Sequence, residues 1–314
     1  MAAKKTATKR VKKTVKKTVK KTVKKTARKT VVKPAERATG QAGKVRVQPE
    51  QPAATELSRT QINEVMTILK DVGSVEIKLV APIHTHRATI AKLGVDPIET
   101  EVRQVYFFDT PNLDLNKAGV VVRARRIQGG AGDTVIKLRP VDPAEIDREL
   151  RRSQSFKTEI DVVPGGFVCS GSFKGRCTAQ EAKDAVGGKM PLDSLFSKEQ
   201  RAFYRKHAPK GIALRSLETY GPTFVLKARK WLKQLDRRLV VEMWLFPDGS
   251  RNPEISMKCA PSEAFQVAHD AKEYFKSIGI ELSADQQTKT RAAMQFFQPE
   301  VRQQAAQRKP RRTA

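Results

Sequence analysis

Between residues 105 and 139 the chain alternates apolar and ionic positions with a period of two, as a strand does when its two faces meet different surroundings. Val120, Val122 and Ala124 interleave with Arg123 and Arg125, and Ile136 and Leu138 interleave with Lys137 and Arg139. The stretch reads as strand, short helical turn, strand, Gly-rich turn and strand, with four cations on one face and an apolar surface on the other. The same alternation predicts strands at Val75–Leu79 (Glu76 and Lys78 on one face) and at Phe156–Val162 (Lys157, Glu159 and Asp161). It recurs at Phe224–Arg229 (Lys227 and Arg229), at Leu239–Phe246 (Glu242 and Trp244) and at 254–258, after the Asp248-Gly249 turn signal. Tyr106–Phe108 leads into the central stretch, and Asp109 is placed to cap the turn holding Leu113 and Leu115.

Apolar positions three and four apart predict a helix over residues 55–71, with Ser58 and Gln61 able to form a capping box. Further helices are predicted over 84–93, 179–186, 194–207, 262–278 and 283–297. The rest of 163–192 is Gly-rich and reads as loop.

An open sheet with one wet face and one helix-covered face would show such alternation. Two features favour closure instead. The charged positions are mostly Arg and Lys in repeated pairs, and like charges side by side on a surface destabilise a sheet. The strands are also numerous enough to close a barrel. With apolar faces turned out toward helices, the charges must line a lumen, which is tolerable only when water, metal and anion fill it. The expected class is therefore α+β, a closed or nearly closed barrel covered by helices, with a polyanion as its ligand.

Composition separates this body from its ends. Of the net charge of +28, residues 1–33 carry 15 Lys and Arg with no acid, whereas residues 34–298 carry a net +9. Residues 11–26 repeat Val-Lys-Lys-Thr, and Lys-Lys repulsion with β-branched Val and Thr opposes a helix there. Residues 1–54 read as a disordered Lys-rich tail and linker, suited to binding nucleic acid or polyphosphate by counterion release. Residues 299–314 read as a second, shorter basic tail. The 39% apolar content leaves a real core, no run approaches a membrane span, and three cysteines fit neither a disulfide framework nor a zinc spacing. Cytoplasm is the expected compartment, with nucleoid association possible through the tail. His84 and His86 read as a surface pair rather than metal ligands.

Over about residues 73–297 the chain resembles the CYTH, or triphosphate tunnel metalloenzyme, superfamily. Ser74-Val75-Glu76-Ile77-Lys78 stands where members open with Glu-x-Glu-x-Lys, and Tyr106-Phe107-Phe108-Asp109-Thr110 matches their Tyr-Phe-Asp-Thr segment. Arg123 and Arg125 match the Arg-x-Arg strand, followed by Lys137, the acids Glu159 and Asp161, the cations Lys227 and Arg229, the acids Glu242 and Glu254, and the late Lys289.

The resemblance implies an antiparallel eight-stranded tunnel over 73–298, led by the helix of 55–72. It implies phosphate binding by Lys78, Arg123, Arg125, Lys137, Arg139, Lys227, Arg229 and Lys289, with Lys78 and Arg125 catalytic. Mg²⁺ or Mn²⁺ would sit on Glu76, Glu159, Asp161, Glu242 and Glu254. The implied activity is metal-dependent hydrolysis of inorganic or a related organic triphosphate. A non-catalytic polyphosphate- or nucleotide-binding module, tethered by the tail, is the alternative, and a class IV-type adenylate cyclase the third. Two departures thin the metal set: Ser74 replaces the first Glu of the opening motif, and Ser256 and Lys258 follow Glu254 where acids are usual.

Overall fold

The computed structural model describes residues 59–163, 166–283 and 288–308. The expected tail and linker, Ser58 of the expected capping box, and residues 309–314 lie outside the described residues.

Nine strands close a barrel: β1 (Ser74–Leu79), β2 (Glu101–Asp109), β3 (Val120–Ile127), β4 (Gly132–Leu138), β5 (Phe156–Val163), β6 (Gly166–Cys177), β7 (Glu218–Leu232), β8 (Arg237–Leu245) and β9 (Arg251–Cys259). Their order around the wall is β1, β5, β6, β4, β3, β2, β7, β8, β9. Closure was expected, but the count is nine rather than eight, and β1 pairs in parallel with β5 while every other pairing is antiparallel.

The strand missing from the sequence reading is β6, hidden by its glycines and serines. A side chain on Gly171 would place its Cβ 2.7 Å from Cζ of Phe156, and one on Gly175 would lie 2.6 Å from the hydroxyl of Thr134. Glycine is thus required where neighbouring strands fill the space, although in sequence it reads as a breaker.

Helices clothe the outside. α1 (Arg59–Leu69) and α2 (His86–Lys92) follow the expected positions, and α3 (Asp114–Lys117) is the turn after β2. The Asp109 carboxylate accepts from the backbone N–H of Thr110, Leu115 and Asn116 at 2.7 to 2.9 Å, so it caps that turn as expected. α4 is Arg148–Arg152, α5 Ala179–Val186, α6 Lys198–His207, α7 Ala264–Ser277 and α8 Lys289–Gln307.

Val120, Val122, Ala124 and Ile136 are fully buried on the outward face, in one apolar cluster with Ala182, Ala185 and Phe203 of α5 and α6. Val75, Ile77, Leu239, Ile255 and Met257 do the same with α1 and α7. Gln200, wholly buried in α6, donates to the carbonyls of Thr134 and Phe173 and accepts from the Thr134 hydroxyl, which fixes α6 on β4 and β6.

One end of the lumen is apolar. Phe107 is the register partner of Arg123, Val105 that of Arg125, and Trp244 that of Val225, so all share the charged face. Ala293, Met294 and Phe297 of α8 pack into this set and close the end. Burying a side chain such as Phe107 completely contributes about 1.5–3 kcal/mol, enough to hold the helix there. α8 runs past the expected end near 298 and carries Pro299 within it. Val301 is buried, Arg302 donates to the carbonyl of Pro111, and Arg308 pairs with Glu218 at 2.8 Å, contacts that hold the helix beyond the proline.

Candidate functional site

The inward positions of the strands meet in a cavity of about 740 Å³, lined by eleven Lys or Arg and four Glu. Eleven of the thirteen residues expected at the site lie on it: Glu76, Lys78, Arg123, Arg125, Lys137, Arg139, Glu159, Lys227, Glu242, Glu254 and Lys289. Lys289 reaches it from the first turn of α8, where the residue is buried.

Asp161 and Arg229 stand apart from the cavity lining. Asp161 is 1% exposed and lies 3.4 Å from Lys78, 3.7 Å from Lys137 and 3.2 Å from Arg139. Burial opposes its charge, yet those three cations hold its carboxyl below the usual range. It serves as the fixed counter-charge that lets three cations crowd together. Arg229 pairs instead with Glu101 at 3.4 Å, and 43% of its side chain is exposed.

Arg103 and Lys174 are lumen cations that the alternation did not reveal. Arg103 sits on β2 ahead of apolar Val105 and Phe107, which share its face and break the ionic pattern. Lys174 lies on the Gly-rich β6.

Most lumen charges are matched. Arg125 grips Asp133, Nε to Oδ1 at 2.8 Å and Nη2 to Oδ2 at 2.6 Å. Lys227 donates to Glu242 at 2.7 Å, Arg103 pairs with Glu101, and Lys258 pairs with Glu159. Lys78 lies 3.7 Å from Glu254 and 4.0 Å from Glu76. Burial works against its charge, but Glu254, Asp161 and Glu76 raise its pKa above the ordinary lysine value, so it is a permanent cation. Burial likewise disfavours charge on Glu242 and Glu159, and their lysine partners nonetheless keep both carboxyls below the usual range.

Four of the cavity-lining cations, Arg123, Lys174, Lys289 and the exposed Arg291, form no ion pair among the described residues. Arg123 Nε is buried without a hydrogen-bond partner, and burial together with adjacent Arg125 opposes its charge. Lys174 and Lys289 form no ion pair among the described residues, and burial lowers the pKa of each. In register, Arg123 faces Val135 and Val135 faces Lys174, so two uncompensated cations flank one valine across three strands. Lys137, next along β4, is pushed down to about 8 by burial, which Asp161 only partly offsets. Arg123 Nε, a buried donor without a partner, costs free energy that an anion's oxygens would recover.

Among the described residues no three Asp, Glu, His or Cys side chains are grouped to hold a metal ion. Glu242 and Glu254 are register partners on β8 and β9, but each is turned to a lysine. His86 contacts the Ala81 carbonyl at 3.1 Å, and His84 is exposed. No helix of the described residues is long and apolar enough to cross a membrane.

No family model matches the chain, and no curated protein sequence matches it. Solved structures do. The Hippeastrum protein HpAC1, described as an adenylyl cyclase candidate that reveals a dominant triphosphatase activity, aligns at a TM-score of 0.54 with 16% identity, over 71% of this chain and 96% of that one. A Bacillus halodurans protein described as a candidate adenylate cyclase aligns at 0.50 with 17% identity, over 70% and 96%. At such identities the likeness is one of fold.

Proposed function

We propose, on the premise that this chain carries the CYTH or triphosphate tunnel fold, that it binds a linear triphosphate along the lumen and hydrolyses the terminal phosphoanhydride. The observation that carries the reading is the row of uncompensated cations, Arg123 with its partnerless Nε and Lys174 across Val135, joined by Lys289. A linear chain of phosphates has charge along its length, as this row does, and an inorganic triphosphate or the tail of a small organic one fits the cavity's volume. Arg123 and Lys174 would grip one end, and Lys137, Arg139 and Lys78 the other, with Asp161 fixing their spacing. In hydrolysis, water oxygen attacks the terminal phosphorus and the bridging P–O bond breaks; the water's proton passes to the phosphate oxygens, orthophosphate forms, and the diphosphate (pyrophosphate from the inorganic ligand) leaves with its charge neutralised by these cations. The description of HpAC1 as a triphosphatase supports this activity over cyclisation.

A second reading is a non-catalytic phosphate-chain module, favoured by one observation: each of the four Glu lining the cavity has a lysine beside it, so none of them is a free base. A phosphate-release screen of the purified chain against tripolyphosphate, ATP and thiamine triphosphate, with Mg²⁺ and with Mn²⁺, separates the two. Release supports the hydrolase. Binding by calorimetry with no release under any condition leaves the module. The Lys-rich residues 1–33 would add nucleic-acid or polyphosphate binding of their own.

A further inference from the structure

Lys258 occupies a telling place among the lumen carboxylates. It is the register partner of Glu76, across the β9–β1 pair, and its ammonium reaches over β1 to pair with Glu159 on β5. Ser74, the register partner of Glu159 on the other side, brings no carboxylate. Ser256, the partner of Lys78, is buried and brings none either. The corner where β9, β1 and β5 meet thus holds Glu76 and Glu159 with the Lys258 ammonium tethered between them, while Asp161, the β5 register partner of Glu76, is taken up by Lys78, Lys137 and Arg139. Half of the Lys258 side chain is exposed, and the residue lines the cavity. Mg²⁺ is usually held by one or two carboxylates, waters and substrate phosphate. Here it would share Glu76 and Glu159 with a fixed positive charge, and like charges at that range oppose each other.

We propose that the tunnel takes its triphosphate as the metal-free anion, the Lys258 ammonium on Glu159 and beside Glu76 standing in for a dication between carboxylate and phosphate. This rests on the reading that the lumen binds a triphosphate. The lumen has ample charge for it, with eleven cations lining the cavity against four acids. Complexation by Mg²⁺ in solution lowers the ligand's charge and competes with this form, so added Mg²⁺ should weaken binding rather than create it.

The test is calorimetric titration of the full chain with tripolyphosphate, in excess EDTA and again in excess Mg²⁺. Wild type should bind in EDTA at least as tightly as in Mg²⁺. Lys258→Glu, which gathers a third carboxylate with Glu76 and Glu159, should lose about tenfold or more of its EDTA affinity and recover it with Mg²⁺. Lys258→Gln, a milder change should the Glu variant not fold, should lose affinity in EDTA with no rescue by Mg²⁺. Wild-type binding that appears only with Mg²⁺ overturns this inference and leaves the triphosphate reading standing. No binding under either condition overturns both. EDTA affinity unchanged in a folded Lys258→Gln removes Lys258 from the site.

Discussion

Arg125 and Asp133 are register partners on adjacent strands and close a two-pronged ion pair across the lumen wall, whereas Arg123, two residues earlier on the same face, forms no ion pair among the described residues and keeps a buried Nε without a partner. The Arg-x-Arg strand thus divides its labour. Arg125 is compensated within the fold, and Arg123 is held ready for an anion.

Arg123→Ala should therefore weaken tripolyphosphate binding by about 2 kcal/mol, roughly thirtyfold, since a charge-assisted contact in a partly desolvated site is lost. Arg125→Ala alone would leave Asp133 as an unpaired lumen anion and repel the ligand. The double variant Arg125→Ala/Asp133→Asn removes the pair together and should keep affinity within about 1 kcal/mol of wild type. Calorimetry on variants shown to be folded decides it. A larger loss in the double variant than in Arg123→Ala would reverse the assignment.

The alternation was enough to show a cationic lumen, because Arg123 and Arg125 on β3, and Lys137 and Arg139 at the end of β4, are each separated by one apolar residue. It failed where local composition is overruled by neighbours. On β6, Gly171 and Gly175 read as loop, yet they mark places where Phe156 and Thr134 come through from adjacent strands. On β2 the ionic face turns apolar at Val105 and Phe107, because that end of the lumen receives α8 rather than a ligand. Which acids are free and which are paired has no period at all. It depends on register across strands far apart in sequence, as in Lys258 with Glu159.

The same packing makes a stability prediction. Gly171→Ala forces Phe156 aside, since the new Cβ would lie 2.7 Å from its ring. A loss of about 1–3 kcal/mol in denaturant unfolding is expected, typical of overpacking. Phe156→Leu in the same chain should relieve part of it. An Ala variant as stable as wild type would mean that this stretch of β6 does not pack as described.

Binding should depend on pH through Lys137. Burial brings its pKa to about 8 from the ordinary 10.5, and a phosphate oxygen nearby would favour the ammonium. Titrations near pH 8 should therefore show proton uptake on binding, and affinity should fall as pH rises through about 8. The ligand's own titration is removed by comparison with Lys137→Arg, whose guanidinium stays charged. In the ligand-free protein the sign is opposite. Between about 8 and 10.5 the unfolded chain holds more protons at this residue, so its contribution makes stability rise with pH. A Lys137→Arg profile superimposable on wild type would place the titrating group elsewhere.

Removing residues 1–33 takes away 15 positive charges. Tripolyphosphate affinity should change little, while retention on DNA or RNA should fall and lose most of its salt dependence. Equal retention by the full and shortened chains, measured across a salt series, would rule out this division between tail and tunnel.

Ser74→Glu gives the last test, and the surroundings of that position set its sign. Ser74 is the register partner of Glu159, whose carboxylate is already engaged by Lys258. A new carboxylate there meets an ammonium before it meets any dication. The single variant should thus lose tripolyphosphate affinity in EDTA, by several-fold, and gain little in Mg²⁺. With Ser74→Glu and Lys258→Glu together, Glu76, Glu159 and two added carboxylates share one corner without the Lys258 ammonium between them. Such a set should bind Mn²⁺ on its own, and the measurement is a metal titration without phosphate. If Ser74→Glu alone binds Mn²⁺ as tightly as the double variant, the ammonium of Lys258 is not what keeps a metal from this corner.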